Sequence, residues 1–266
     1  MSGIARIRAA FVSARAERRG ALIPFVTGGY PDLDSTERLL RELPRAGADL
    51  IEIGVPFSDP IADGPVIAAS MHEALQRGVN PDQIFACVER ARSAAPVLAM
   101  VSYSIVGRMG VERFIAAGVD RGVSGFIVPD ADPGVAEEIS RTASARGAAF
   151  CALIAPTTPA ARAARLAAIS TGFVYLLARA GVTGERSEAP DISDRVAVLR
   201  TLTDAPIAVG FGLSSAEHVH AIGAQADGAI VGSALVRRMA EAVARGESAA
   251  DAAIAFARQL SGRPPQ

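Results

Sequence analysis

The segment from Leu50 to Pro65 places three acidic residues close together, in a pattern that could transfer protons. Glu52 lies in the apolar stretch Leu50–Ile53, and Asp59 and Asp63 follow in a loop that contains three prolines. A carboxylate among apolar neighbours is desolvated, which raises its pKa and suits it to proton transfer near neutral pH. The prolines restrict the loop backbone and would hold its carboxylates in place. The pattern therefore favours Glu52 and Asp63 as acid/base groups.

Structural roles remain open for the same residues. Glu52 could be a buried glutamate that pairs with an arginine or a backbone amide, and the strand alone supports both interpretations equally. Asp59 and Asp63 could form turns or cap a helix that begins near Val66, and this alternative carries more weight for Asp59. Loops of this length in compact domains are usually functional or disordered, and the prolines argue against disorder. The loop therefore shifts the balance toward chemistry.

Three glycine-containing segments later in the chain could contact a ligand, and two of them could bind an anion. Gly210–Ser215 and Ala229–Ala234 each lead from a predicted strand toward a helix. Glycine lets backbone amides approach a phosphate, and the amides at a helix N-terminus attract negative charge. A single Gly-Phe-Gly is weak evidence, but two such segments make a stronger case. The third segment, Arg179–Ser187, could fold over a ligand or could be an ordinary surface connection.

Short apolar runs alternate with segments of helical periodicity along the whole chain. The helix after the first strand is predicted to begin with Asp34 as its cap and to end at Gly47, and further helices are predicted at Pro133–Arg146 and Ser214–Ile222. Eight evenly spaced strands, each followed by a helix, predict an α/β fold of the (β/α)8 TIM-barrel class, with its chemistry at the carboxyl ends of the strands. An open doubly wound sheet is the alternative, but the chain lacks its G-x-G-x-x-G signature after the first strand. The predicted strands are Ala21–Val26, Asp49–Ile53, Pro96–Val101, Gly125–Val128, Ala149–Ile154, Phe173–Leu177, Pro206–Val209 and Gly228–Val231.

The chain of 266 residues has no composition shift or linker that would divide it, so residues 1–266 are predicted to form one domain. An extra N-terminal helix is expected because Ile4, Ile7 and Phe11 alternate with arginines, and the tail Gly262–Gln266 is expected to fray. The absence of a secretion signal and of a long apolar run predicts a cytoplasmic protein.

The composition also excludes several classes of chemistry. All 27 basic residues are arginines, so no lysine is available for a Schiff base or for pyridoxal phosphate. Only His218 and His220 lie close together among the histidines, and Cys87 and Cys151 are far apart, so we expect no metal site and no disulfide framework. The net charge of −1 without charge blocks argues against nucleic acid or a membrane as partner.

Taken together, these segments resemble the tryptophan synthase α-subunit family over nearly the whole chain. The stretch Glu52-x-Gly54-x-Pro56-Phe57-Ser58-Asp59-Pro60-x-x-Asp63-Gly64-Pro65 is highly specific to that family. The other matching segments follow in order: Leu22–Pro31, Ile127–Asp130, Ala155–Pro159, Gly181–Gly184, Gly210–Gly212 and Gly232–Ala234.

The resemblance implies a retro-aldol cleavage of indole-3-glycerol phosphate to indole and glyceraldehyde 3-phosphate, without an organic cofactor or a metal. Glu52 matches the family's general acid/base, which protonates the indole ring carbon that bears the glycerol chain. Asp63 matches the carboxylate that hydrogen-bonds the indole N–H. The remaining matches surround the substrate, with the phosphate at Gly184, Gly212, Gly232 and Ser233, the indole beside Phe25, Tyr175 and Phe211, and Thr183 in the segment over the ligand.

The resemblance also implies a β-subunit partner in an α2β2 complex. The chain departs from the family pattern at Ser102–Ile105, at Ala131–Pro133, and at Ala178 and Ala180. The first two departures lie toward the β-subunit in the family, although Pro56 and Asp59 on that side are retained. A stand-alone lyase that releases free indole therefore remains an alternative, as does a barrel that binds a phosphorylated ligand without catalysis.

Overall fold

The structure is a computed structural model, and it describes residues 1–59, 64–178, 190–210 and 212–263. Within these ranges the strands form one parallel sheet, in the order β5-β4-β3-β2-β1-β9-β8-β7-β6. The strands are β1 (Ala21–Thr27), β2 (Ile51–Gly54), β3 (Val97–Met100), β4 (Gly125–Ile127), β5 (Ala149–Phe150), β6 (Leu153–Ile154), β7 (Val174–Leu177), β8 (Ile207–Gly210) and β9 (Gly228–Val231).

The two outermost strands of this order, β5 and β6, are halves of a single chain segment. β5 pairs with β4 and β6 pairs with β7, and only Cys151 and Ala152 separate them. The main chain continues the pairing across this break, because Cys151 N–H donates to Phe126 O at 2.9 Å and Tyr175 N–H donates to Ala152 O at 3.0 Å. The sheet therefore closes into an eight-stranded barrel whose fifth strand is interrupted. The predicted TIM-barrel fold is confirmed, and the open doubly wound sheet is wrong.

Helices surround the barrel and follow the strands in sequence. The described residues contain α1 (Gly3–Ala16), α2 (Leu33–Glu42), α3 (Pro65–Gln76), α4 (Pro81–Ala91), α5 (Tyr103–Met109), α6 (Val111–Asp120), α7 (Pro133–Ala145), α8 (Ala160–Ile169), α9 (Ser193–Arg200), α10 (Ala216–Gly223), α11 (Ser233–Ala244) and α12 (Ala249–Ser261). No helix among them is long and apolar enough to cross a membrane.

The helix α1 closes the amino-terminal end of the barrel. Its buried face, Ile7, Phe11 and Ala14, packs into the same cluster as the inward-facing strand residues. The rings of Phe11 and Phe173 lie 5.6 Å apart between centroids. Apolar side chains therefore fill the end of the barrel at which the strands begin.

The helix α2 begins two residues earlier than the predicted cap implies. Asp32, in an extended conformation, accepts the Ser35 N–H at 2.7 Å and is the N-cap, whereas Asp34 lies in the first turn. The prediction of Asp34 as the cap is therefore wrong. A short 3-10 helix, Leu43–Ala46, follows α2 and ends at Gly47 with a φ of 101°.

Ion pairs fasten the amino-terminal ends of several strands. The Asp49 carboxylate accepts two bonds from Arg19, at 2.5 and 2.7 Å, and the Leu22 N–H at 2.8 Å. Arg263 lies 3.6 Å from the same carboxylate and also pairs with Glu17, so the described start of the predicted frayed tail is tied to the barrel. Residues 264–266 lie outside the described residues.

Candidate active site

Glu52 occupies an inward-facing position of β2 near the mouth of the barrel. Leu50 belongs to the interior cluster, so strand alternation places Glu52 and Gly54 on the same inner face, while Ile51 and Ile53 pack outward. Glu52 is 1% exposed. Its strand neighbours in register are Phe25 on β1 and Leu98 on β3. The side chain is thus a carboxylate almost wholly removed from water.

The aromatic ring of Phe25 lies across the inner face of Gly54. A Cβ atom built on Gly54 would lie 2.5 Å from Phe25 Cζ and 3.3 Å from Met71 Cε. A Cβ on Gly232 would meet Phe25 Cβ at 3.4 Å. Glycine at position 54 therefore makes room for a ring that lies between the strand carrying Glu52 and the strand that leads to Gly232.

A second aromatic ring, that of Tyr175, lies beside a glycine of a neighbouring strand in the same way. Tyr175 is buried on β7, and a Cβ on Gly210 of the neighbouring strand would overlap its ring and hydroxyl. Both predicted aromatic residues that the structure describes, Phe25 and Tyr175, therefore face the interior of the barrel beside glycines. Both residues therefore offer aromatic surface inside the barrel.

Cys151, at the break in the fifth strand, lies in the interior cluster of the barrel. Burial, and to a lesser degree the negative charge of Glu52, raises the pKa of the Cys151 thiol to about 12. The thiol is therefore protonated at neutral pH and acts as a small apolar group.

Two of the residues predicted to hold a phosphate, Gly232 and Ser233, lie beside Phe25 at the start of α11. Gly232 is the N-cap of the twelve-residue helix α11, and no side chain caps the helix there. Ser233 is its first residue, and the amides of the first turn of an α-helix have no partner within the helix. Because β1 pairs with β9, with Pro24 opposite Val231, this helix end adjoins Phe25. The structure therefore brings Glu52, Phe25 and the start of α11 to one end of the barrel.

Gly212 lies between β8 and α10, with a φ of 84°. Ser215 caps α10 by accepting the His218 N–H at 3.3 Å, and the His218 Nδ1 accepts the Ser214 N–H at 3.3 Å. From the sequence, His218 was considered only as a poor metal ligand, and this contact was missed. The Ser-x-x-His spacing at 215–218 was the signal that could have indicated it, since a capped helix start commonly bears a hydrogen-bonding side chain at that position.

Four of the predicted site residues, Asp63, Thr183, Gly184 and Phe211, lie outside the described residues. Asp59 is exposed, and the helix that follows is capped at Gly64 and begins at Pro65. The roles predicted for these residues therefore stay predictions.

One carboxylate joins the departing segment Ser102–Ile105 to the matching segment Ile127–Asp130, which precedes the second departure. Asp130 accepts the Ser102 hydroxyl at 2.7 Å and the Tyr103 N–H at 2.8 Å. The contact ties the loop after β4 to the start of α5. This link was not foreseen, because the two segments are separate in the sequence and neither one indicates the other.

Comparison with known proteins gives one consistent result. The family model described as "Tryptophan synthase alpha chain" matches residues 11–263. The tryptophan synthase alpha chain of Prochlorococcus marinus is 45% identical over 242 residues, covering 90% of this chain and 88% of its own. That of Rhodopirellula baltica is 41% identical over 248 residues, covering 91% and 89%.

Solved structures agree with the sequence relatives. A structure of Mycobacterium tuberculosis tryptophan synthase superposes with a TM-score of 0.88 at 34% identity, over 97% of both chains. The tryptophan synthase alpha chain of Legionella pneumophila gives a TM-score of 0.86 at 28% identity, over 97% of this chain and 96% of its own. The family match, the relatives and the shared barrel lead to one conclusion: the chain belongs to the tryptophan synthase alpha chain family.

Proposed function

We propose that Glu52 and Asp63 are the two carboxylates with which this chain, as a lyase of its family, cleaves indole-3-glycerol phosphate into indole and glyceraldehyde 3-phosphate. The observation that carries the proposal is the burial of Glu52 on the inner face of β2, in register with Phe25 at the mouth of the barrel. Burial of a carboxylate costs free energy, and ionisable groups in such positions are concentrated at functional sites.

The balance of atoms in the reaction defines what the acid/base group must do. The carbon–carbon bond between the indole ring and the glycerol chain breaks, and its electron pair returns to the ring. Glu52 delivers a proton to the ring carbon, which makes indole a leaving group. The hydroxyl on the adjacent chain carbon loses its proton as it becomes the aldehyde of glyceraldehyde 3-phosphate. A group that gives the first proton and takes the second returns to its starting state, so one carboxyl group can serve both steps.

Protonation of the ring carbon places positive charge on the indole nitrogen. Asp63, as a fixed carboxylate that accepts the indole N–H, would offset this charge where water is excluded. The support for Asp63 is its place in the family-specific stretch that also contains Glu52 and Gly54. Phe25 and Tyr175 would line the faces of the indole, with Phe211 as a third aromatic neighbour.

The phosphate would lie at the other side of Phe25. Gly232, Ser233 and the first turn of α11 offer main-chain amides and a positive helix end, and Gly212 adds the loop before α10. Thr183 and Gly184 complete the proposed contacts. A site built from amides suits a chain that has no lysine.

We also propose that the chain works in the cytoplasm with a tryptophan synthase β-subunit. The relatives carry the name alpha chain, which denotes one subunit of an enzyme. Pro56 and Asp59 are retained on the side predicted to meet that partner. The Asp130 contact with Ser102 and Tyr103 gives the neighbouring part of that face a defined shape despite its unusual sequence.

An indole-release assay with indole-3-glycerol phosphate, run with and without a β-subunit, tests both proposals. We expect indole release by the chain alone and a faster rate on addition of the β-subunit, with co-purification of the two chains. A fast enzyme that is indifferent to the partner would support the stand-alone lyase. Glycerol phosphate binding without any cleavage would support the non-catalytic barrel.

A further inference from the structure

His218 is a buried histidine beside the loop proposed to hold the phosphate. It is 6% exposed on α10, whereas His220 on the same helix is exposed. The proposed reaction does not use its imidazole. His218 is nevertheless in contact with the loop Gly212–Ser215 through its hydrogen bonds.

Two hydrogen bonds join His218 to the loop in opposite directions. The His218 N–H donates to Ser215 Oγ, and the Ser214 N–H donates to His218 Nδ1, each at 3.3 Å. In a capping box, a glutamate or glutamine three residues after the cap returns a bond to the backbone ahead of the helix. The imidazole of His218 does the same one residue further back. The turn that precedes α10 is thus held from both sides.

The hydrogen bond from Ser214 to His218 uses one of the main-chain N–H groups of this loop, and the other N–H groups could bind an anion. Within the described ranges, the N–H groups of Gly212 and Leu213 donate to no protein acceptor, while that of Ser214 is used by His218. Leu213 is buried, which anchors the turn between them. The direction of the Gly212 and Leu213 amides therefore depends on the bond between Ser214 and His218.

We propose that His218 is a positioning residue for the substrate's phosphate, and that its neutral imidazole holds the Gly212–Leu213 amides in place by accepting the Ser214 N–H. This inference rests on the proposed function for the location of the phosphate. A histidine whose Nδ1 accepts a hydrogen bond carries its proton on Nε2. A doubly protonated ring has no acceptor, so it would present a donor to the Ser214 donor and release the turn.

Among the described residues, the ionisable groups nearest to His218 lie on α10 and on the elements that pack against it. Glu217, its neighbour on α10, has its pKa lowered chiefly by a hydrogen bond with Ser215. α10 packs against β9, which has no ionisable residue, and against α12. The ionisable residues of α12 are Asp251, which pairs with Arg38, and Arg258, which is exposed.

The test measures the affinity of the full chain for glycerol 3-phosphate by calorimetry at pH 7.5 and pH 5.5. His218→Ala should weaken binding about fivefold at pH 7.5, the effect of one lost hydrogen bond. His218→Gln should restore most of that loss, because the glutamine amide can accept the same N–H. Between pH 7.5 and 5.5 the unmodified chain should lose at least about threefold more affinity than His218→Gln, because protonation of an imidazole removes its acceptor whereas the glutamine amide keeps its own.

Glycerol 3-phosphate also gains a proton between these pH values, but this effect on affinity is the same for all variants. The difference between the unmodified chain and His218→Gln is therefore independent of it. His220→Gln, the same substitution on the exposed face of α10, should follow the unmodified chain at both pH values. Equal pH dependence in the unmodified chain and His218→Gln would overturn the inference. So would tighter relative binding of the unmodified chain at pH 5.5, which would make His218 a cationic phosphate ligand.

The outcomes separate this inference from the proposed function. Cleavage of indole-3-glycerol phosphate without the pH difference refutes only the role of His218. The pH difference without any cleavage refutes only the lyase mechanism. Failure of the unmodified chain to bind glycerol 3-phosphate at millimolar concentration refutes the phosphate site and the role of His218 together.

Discussion

Phe25 and Glu52 are register partners on adjacent parallel strands, and both side chains face the interior of the barrel. This relationship places an aromatic surface next to a buried carboxylate. It follows from strand alternation, and it joins the proposed proton-transfer group to the part of the mouth where a flat ring can stack.

Glu52→Gln should lower indole release from indole-3-glycerol phosphate by at least ~10²-fold, since acid/base groups contribute on that scale. Glutamine keeps the shape of the side chain but cannot give and take a proton. Affinity for glycerol 3-phosphate should change little. The control is Glu138→Gln, at an exposed position of α7, which should retain full activity. Normal turnover by the Glu52→Gln variant would remove Glu52 from the mechanism.

Gly54→Ala should damage the site by displacing Phe25, whose Cζ would lie 2.5 Å from the new Cβ. We expect a loss of about 1–3 kcal/mol in the free energy of unfolding, the usual cost of overpacking. The kcat/KM for indole release should fall about tenfold because a substrate-lining ring moves. Urea unfolding and steady-state kinetics measure the two effects.

Gly134→Ala is the matched control for that substitution. Gly134 lies near the start of α7, with nothing within 4 Å of the added Cβ. This change should raise the free energy of unfolding by about 0.5 kcal/mol and leave the kinetics unchanged. Equal behaviour of the two alanine variants would show that Phe25 does not occupy the inner face of Gly54.

Cys151 should resist thiol reagents in the folded protein. Burial raises its pKa from 9.0 to about 12, so at pH 8 its reactive thiolate is about a thousandfold rarer than that of an ordinary cysteine. Burial also raises the pKa of Cys87. We expect slow modification of both thiols in buffer and rapid modification in denaturant. Rapid reaction of Cys151 in the native chain would contradict its place in the barrel interior.

The difference between the pKa of Cys151 in the folded chain and its ordinary value also predicts a loss of stability at alkaline pH. Its folded pKa of about 12 lies above the unfolded value of 9.0, so its contribution to stability is complete below pH 9 and declines as pH rises from 9 to 12. The free energy of unfolding should fall more steeply above pH 9 in the native chain than in Cys151→Ala. Parallel curves would exclude this linkage.

Asp49→Ala should destabilise the fold by about 3 kcal/mol, because it leaves the partly buried Arg19 and the Leu22 N–H without their acceptor. Denaturant titration measures the change. Asp204→Ala, at an exposed position, should alter the free energy of unfolding by less than about 0.5 kcal/mol. A cost for Asp49→Ala as small as that control would show that the carboxylate does not fasten the strand ends.

The strands could be predicted because each is a short apolar run between helical segments. Their ends moved by one or two residues for local reasons. The second strand begins at Ile51, since the Asp49 and Leu50 N–H groups both donate to the same acceptor, Leu22 O, which interrupts the regular strand pairing. The break at Cys151 and Ala152 could not be foreseen, because it reflects pairing with two different neighbours that are distant in sequence.

The candidate site was predictable where residue type and strand alternation agreed, as they do for Glu52 and Tyr175. The contact of Phe25 with Gly54 and the bond between Ser214 and His218 depend on side-chain placement between segments. The choice of Asp32 over Asp34 as helix cap depended on which of two aspartates takes an extended backbone. Local sequence does not distinguish these possibilities.

The side chains of Ile7 and Phe11 on α1 fill the amino-terminal end of the barrel with apolar atoms, and they separate Glu52 from solvent on that side. The hydration of the Glu52 carboxylate therefore depends on what lies at the other end of the barrel, where the strands terminate.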